Sequence, residues 1–392
     1  MLTANRHKLL IIFGTRPEAI KLFPVIAALR GDARFAPVVC VSGQHREMLD
    51  QVLRIASLQP DYDLGLMQPG QNLDELTAAL VTGLGRVMDR ERPARVLVHG
   101  DTATALAGAL AAYYRRIPVD HVEAGLRSGD NRHPWPEEGN RKMIAAIASL
   151  HFAPTEAARA ALLAENVAAQ RIHLTGNTVI DALHWVTARI AAKPALVAGL
   201  SELTARFSGK RIVAVTSHRR ENLGCGLQRV ARAIRHIAVR GDTAIIFPLH
   251  PNPAVRSVML AELDGLDNVA LIEPLDYPHF VHLLRLADLV LTDSGGVQEE
   301  APALGKPVLV LRETTERSEG IAAGTARLVG TDPDRIVAEV TRLLDDAAAY
   351  RTMAQARNPY GDGQASRRIA DLLGQELWPE RGGYSPAVIR TR

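Results

Sequence analysis

The run Leu289-Val290-Leu291-Thr292-Asp293-Ser294-Gly295-Gly296-Val297-Gln298-Glu299-Glu300 decides how this chain reads. Its first apolar residues fit a buried strand, Asp293 through Gly296 fit a tight turn, and Val297 onward fits the first turn of a helix. Free N–H groups at a helix N-terminus, aided by the helix dipole, make a place for an anion. Glycines lack a Cβ and let a phosphate close on the backbone. Taken alone, the run fits an Asp or Ser N-cap equally well.

The same alternation extends outward in both directions. Val-, Ile- and Leu-rich runs at 9–13, 38–41, 96–98, 119–122 and 172–174 are separated by helical patterns. A second series lies at 212–215, 244–247, 269–272, 289–291, 308–311 and 326–329. Continuous apolar strands between helices predict parallel sheets covered on both faces. Two series in 392 residues, more than one ordinary core accommodates, predict two doubly wound α/β domains. Residues 177–210 read as helical without a strand of this kind, so the boundary is expected near Gly176. The predicted domains are 1–175 and 176–361, with a helix at about 362–378 returning to the first and 379–392 as a tail.

Composition narrows the function classes. The chain is 47% hydrophobic and 23% charged, as soluble globular proteins are. A net charge of +3, with Lys and Arg scattered, argues against a nucleic-acid footprint and leaves small anions open. Cys40 and Cys225 are far apart and form neither a disulfide framework nor a metal spacing, which predicts a reducing cytoplasm. No apolar run approaches ~18 residues, and the start lacks a signal-peptide core, so no membrane segment is expected.

In open α/β sheets, ligands bind beyond the carboxyl ends of the strands. The first strand ends in Gly14-Thr15-Arg16-Pro17-Glu18, with Lys21 a turn later. Others end at His99-Gly100-Asp101, at Glu123, at His218 within Ser217–Asn222, and at His250-Pro251-Asn252. Cations and small polar residues suit a phosphorylated ligand, whereas Asp101 and Glu123 suit proton transfer or hydroxyl binding. Each has a plainer reading. Asp101 alone reads better as a cap for a helix beginning near Thr102. His218 alone reads as a hydrogen-bonded structural histidine. Glu137 and Glu138 read as first-turn acids of the helix after the proline-held loop 130–141. Glu123, closing a buried strand, needs a partner or a raised pKa. Missing motifs exclude more: there is no G-x-G-x-x-G after the first strand, no Walker A, no H-E-x-x-H or paired C-x-x-C, and no G-x-S-x-G.

Ten strings then resemble one family in order from about residue 9 to 378: FGTRPEAIK (13–21), QHREMLDQVL (44–53), VHGDT (98–102), HVEAGLR (121–127), PWPEE-x-NR (134–141), TGNTVIDAL (175–183), HRREN (218–222), TDSGGVQEEAP (292–302), GKPVLVLR-x-TTER (305–317) and NPYGDG (358–363). They are similar to the bacterial non-hydrolysing UDP-N-acetylglucosamine 2-epimerases. The resemblance implies two Rossmann-like domains facing across a cleft, the glycosyltransferase-B architecture. It implies interconversion of UDP-GlcNAc and UDP-ManNAc by elimination of UDP to a 2-acetamidoglucal and re-addition, supplying ManNAc for cell-envelope polysaccharides.

Carried over position by position, the resemblance makes Asp101, Glu123 and Glu137 the acid/base carboxylates and His218 the histidine that assists the diphosphate. Arg16 and Lys21 fall near the nucleotide, Ser294, Gly295 and Gly296 on the diphosphate turn, and Glu300 on the ribose. Phe280 and Arg317 are further substrate-binding positions. Gln44 is a candidate contact for a second, activating UDP-GlcNAc. No metal or redox cofactor is implied, and a homodimer is. Three departures stand out: Ser318 after TTER, Gly139 within PWPEE-x-NR and Ser217 before HRRE. None removes a charged group. A hydrolysing epimerase, a glycosyltransferase on the same fold and a non-enzymatic sugar-nucleotide sensor are the competing expectations.

Overall fold

The structure, a computed structural model, describes residues 6–43, 46–67 and 70–378. The described chain forms two compact units. One takes in the chain up to Leu126, Asp130–Thr178 and the chain from Gln364; the other takes in Arg127–Gly129 and Val179–Gly363.

The first unit is built on seven strands: β1 (His7–Phe13), β2 (Phe35–Val41), β3 (Tyr62–Asp63), β4 (Arg95–His99), β5 (Val119–Val122), β6 (Leu150–Ala153) and β7 (Ile172–Leu174). All pair in parallel, in the order β3-β2-β1-β4-β5-β6-β7. Leu9 through Phe13 are each 0% exposed, as a strand covered on both faces requires. Gly108 explains how closely the helix Ala103–Tyr114 lies on this sheet. A Cβ there would come within 3.2 Å of Ile12 and 3.3 Å of Val98.

The second unit repeats the plan with β8 (Arg211–Thr216), β9 (Thr243–Pro248), β10 (Val269–Ile272), β11 (Leu289–Thr292), β12 (Val308–Val310) and β13 (Ala326–Leu328). Its parallel order is β10-β9-β8-β11-β12-β13. Alternate residues serve opposite cores, as the two-residue period of a strand dictates. Val213, Val215, Leu289 and Leu291 enter one, while Ala214, Val290, Val308 and Val310 enter the other.

Both sheets reverse direction beside their first strand, at β1/β4 and at β8/β11. Such a switch point splays the two following loops apart and opens a crevice at the strand ends. The loops after β1, β4, β8 and β11 carry most of the polar residues singled out above.

Two strands lie outside the sequence reading. β3 has only two residues, and β6 follows the helix Glu137–Ile147 after just Ala148 and Ser149, so it blends into the preceding apolar pattern. The helix Ala365–Leu377 belongs to the first unit and packs on the helix Arg16–Arg30. Arg368 donates to the Thr175 carbonyl at 3.0 Å, and the Trp378 ring stands edge-on to His7 at 4.1 Å. The tail expected at 379–392 lies outside the described residues. Among the described residues, no helix is long and apolar enough to cross a membrane.

Candidate active site

In the first unit, the loop after β1 is fixed by Glu18, which is 2% exposed. Its carboxylate accepts from the Gly14 and Thr15 backbone N–H groups at 3.0 and 2.8 Å and from the Thr15 and Thr102 hydroxyls at 2.8 and 2.7 Å. Burial raises its pKa, with those bonds opposing. Glu18 thereby ties the β1 loop to the β4 loop. Gly14 sits where a Cβ would lie 2.2 Å from Ser42 Oγ, so no larger residue fits this turn. A Thr followed three residues later by Glu is a capping pattern, and that was the available signal for Glu18. Arg16, the first residue of the helix Arg16–Arg30, is partly exposed.

Glu123 follows β5 in the left-handed region, φ +60°, a strained place for a residue with a Cβ. Its Oε1 forms an ion pair with Lys21 Nζ and accepts from Asn177 Nδ2 at 2.9 Å. Lys21, expected near the nucleotide, is thus engaged by Glu123. Asn177 had no role in the sequence reading, because its link to Glu123 is purely tertiary.

Asp101 is not the helix cap. Thr102 caps Ala103–Tyr114, accepting from Ala105 N at 3.1 Å. The freed Asp101 carboxylate instead meets Arg141 Nη2 at 2.5 Å, and its carbonyl accepts from Asn140 at 2.7 Å. Arg141 also reaches Glu138, which is 0% exposed, at 3.0 Å. Burial raises the Asp101 pKa. Arg141 opposes the rise, and the charges of Glu123 and Glu137 add to it. Glu137 opens the helix Glu137–Ile147, and its Oε2 is buried with no hydrogen-bond partner. Asp101 therefore feels the charges of both Glu123 and Glu137, an arrangement typical of sites that move protons. Gln44 lies outside the described residues.

In the second unit, Asp293 is the hub and not a cap. It is 0% exposed, and its Oδ2 accepts from Ser217 Oγ, His218 N, Arg219 N and Asn222 Nδ2 at 2.9, 2.9, 3.0 and 3.0 Å. Ser217 holds one of those contacts, which gives its departure from the family pattern a structural role. The imidazole of His218 lies 3.3 Å from Asp293 Oδ1 and stacks on His250 at 5.5 Å. Burial lowers the His218 pKa, Asp293 opposing and Arg219 and His250 assisting, so the ring is neutral at neutral pH.

With Asp293 turned toward the β8 loop, the helix Gly295–Ala303 starts at Ser294 without a side-chain cap. Its first N–H groups keep their positive end of the helix dipole for another acceptor. Arg317 closes on the same turn: a Cβ at Gly295 would come within 3.2 Å of its guanidinium carbon. The guanidinium is braced by Glu299 at 2.8 Å and Glu316 at 3.0 Å. Burial works against the Glu316 charge, but Arg317 and Arg312 outweigh it and hold the pKa at about 2. Glu300 accepts from the buried Tyr277 hydroxyl at 2.8 Å, and half-buried Phe280 lies on the same helix, Tyr277–Leu286. The unit thus brings Ser294, Gly295, Gly296 and Arg317 together at one uncapped helix start, with Glu300 beside it. Among the described residues, no group of three or more His, Cys, Asp or Glu is arranged to hold a metal.

Residues 27–374 match the protein family described as UDP-N-acetylglucosamine 2-epimerase. The UDP-N-acetylglucosamine 2-epimerase of Escherichia coli O157:H7 is 54% identical over 371 residues, covering 93% of this chain and 98% of that one. Its Campylobacter jejuni counterpart is 45% identical over 373 residues, with 93% and 97% covered. Among solved structures, UDP-GlcNAc 2-epimerase from Neisseria meningitidis bound to UDP-GlcNAc superposes with a TM-score of 0.87 at 44% identity, over 94% of this chain and all of that one. The Methanocaldococcus jannaschii enzyme in complex with UDP-GlcNAc and UDP gives 0.78 at 34% identity, over 94% and 99%. The fold is the Rossmann-like, glycosyltransferase-B type of these structures.

Proposed function

Since the chain belongs to the UDP-N-acetylglucosamine 2-epimerase family, we propose that it interconverts UDP-GlcNAc and UDP-ManNAc by eliminating UDP across C1–C2 and adding it back with C2 inverted. The C2 proton is not beside a carbonyl carbon, so enolisation is closed to it. Elimination asks for a base at C2 and stabilisation of the departing diphosphate, and re-addition with inversion asks for a proton donor on the other face. The observation that carries this reading is the uncapped helix start at Ser294–Gly296 with Arg317 against it, a cradle shaped for a diphosphate. Glu300 beside the cradle suits a ribose hydroxyl, and neutral His218 suits the diphosphate as it takes up charge.

The carboxylates divide by environment. Glu123 faces the ammonium of Lys21, which favours its anion. Asp101 is partly buried near two other carboxylates, which favours its proton. These different surroundings support an assignment of Glu123 as the base and Asp101 as the acid when UDP-GlcNAc is the substrate, with the roles exchanged in reverse. Glu137 keeps the field on Asp101 negative.

The product partition tests the reading. Incubated with UDP-GlcNAc alone and followed by anion-exchange chromatography, the protein is expected to yield UDP-ManNAc with free UDP at trace level. Free UDP and ManNAc formed in step with turnover would overturn it in favour of hydrolysis. A homodimer is part of the same reading, supported by the exposed Tyr113, Tyr114, Trp135 and Met143 on the first unit. Sedimentation equilibrium should return the mass of two chains; the mass of one would refute it.

A further inference from the structure

One buried group beside the carboxylates has no part in the chemistry above. His99 closes β4 and is 3% exposed, and its Nε2 is a buried ring nitrogen with no hydrogen-bond partner. A buried polar atom left unpaired is destabilising and rare, so its surroundings call for an account. That nitrogen lies 3.7 Å from Glu123 Oε2. The ring is also hydrogen-bonded to its own backbone. The assignment that fits both facts puts the ring proton on Nδ1 and a lone pair on Nε2. Burial depresses the His99 pKa to about 4, against the pull of Glu123 and with the help of Lys21, so the ring stays neutral. Two acceptors therefore face each other across a gap that one proton would close.

The other side of Glu123 is already committed. Lys21, from the helix Arg16–Arg30, and Asn177 both hold Oε1. Gly100 flanks Oε2, where a Cβ would stand 3.5 Å away. Lys21, His99 and Asp101 are among the titratable groups that face this carboxylate.

We propose that His99 is a positioning residue for Glu123: the proton removed from substrate C2 comes to rest on Glu123 Oε2 and is held there by a hydrogen bond that His99 Nε2 accepts. This rests on the reading of Glu123 as an acid/base group at C2. In that step the C2–H bond breaks, its electron pair becomes the C1–C2 π bond, and the C1–O pair leaves with UDP. The proton bonds to Oε2 and neutralises the carboxylate. Asp101 protonates the other face of C2 in that direction; when the glycal comes from UDP-ManNAc, the Oε2–H bond breaks, its proton and the C1–C2 π pair form the new C2–H bond, and an oxygen of UDP bonds to C1 to give UDP-GlcNAc. The neutral imidazole accepts a hydrogen bond without taking the proton away, so Glu123 can give it back. Contraction of the gap by under an ångström makes an ordinary hydrogen bond.

The test uses His99→Leu, which removes the acceptor, and His99→Gln, whose amide oxygen replaces it. One buried hydrogen bond formed as the proton transfers predicts that His99→Leu lowers kcat about tenfold, with KM changed by less than about threefold. His99→Gln should recover to within about threefold of the parent. In a Glu123→Gln background, His99→Leu should add no further loss, since the two act as one unit. His99→Phe serves as a second acceptor-free variant should the leucine variant fail to fold. A parental kcat in the acceptor-free variant, an equal loss in His99→Gln, or an additive loss in the double variant would each overturn the proposal. Glu123→Gln measured alone separates the two claims. If it turns over normally, the reading of Glu123 falls. If it is inactive while His99→Leu is unimpaired, only the role of His99 falls.

Discussion

Glu123→Gln is expected to lower kcat by about a thousandfold or more while leaving the affinity for UDP within about threefold. The amide has nearly the same shape as the carboxylate, and the left-handed backbone at φ +60° is unaffected by a change beyond Cβ. What disappears is the capacity to take a proton and the ion pair with Lys21. UDP affinity should be spared because the cradle at Ser294–Gly296 is built from other residues. Initial rates in both directions, with UDP titrated calorimetrically, check the split. A kcat within tenfold of the parent would remove Glu123 from the chemistry, and a matched loss of UDP affinity would recast it as a binding residue.

Asp293→Ala should be the most damaging change in the second unit. It leaves the Ser217 hydroxyl, the His218 and Arg219 N–H groups and the Asn222 amide without the acceptor they share, in a place that is 0% exposed. Charge-assisted bonds of this kind are individually worth about 1.5–3 kcal/mol, and their losses overlap, so a destabilisation of about 3–5 kcal/mol is expected. The same change releases the loop that carries His218, so turnover should fall with stability. Denaturant unfolding measures the first effect and residual activity at low temperature the second. Parental stability would show that the donors find other partners and that Asp293 is not the hub.

Much of this was legible in the sequence because the informative residues are local. An apolar strand ending in Gly14-Thr15-Arg16 or Asp293-Ser294-Gly295 announces both a parallel strand and a polar loop at its end. Series of such strands set the two sheets, and their ends set Asp101, Glu123 and His218 at the switch points or beside them. Asp293 shows the limit. In sequence it stands where an N-cap would, and its actual partners lie more than seventy residues earlier, around Ser217–Asn222. Local rules describe what a residue offers, and a buried carboxylate goes to whichever donors desolvation leaves unpaired. Asn177 and Arg141 escaped for the same reason, and His99 was read only as part of a strand end: their contacts with Glu123 and Asp101 join elements far apart in sequence. β6 was missed because period and length cannot separate four apolar residues from the helix that precedes them.

The central claim is that the C2–H bond of a sugar nucleotide breaks and reforms while UDP is held. NMR of UDP-GlcNAc incubated with the protein alone in deuterated water tests it most directly. UDP-ManNAc carrying solvent deuterium at C2, with label also appearing at C2 of recovered UDP-GlcNAc, is the predicted result. UDP-GlcNAc recovered with its C2 proton intact and no second sugar nucleotide formed would contradict it.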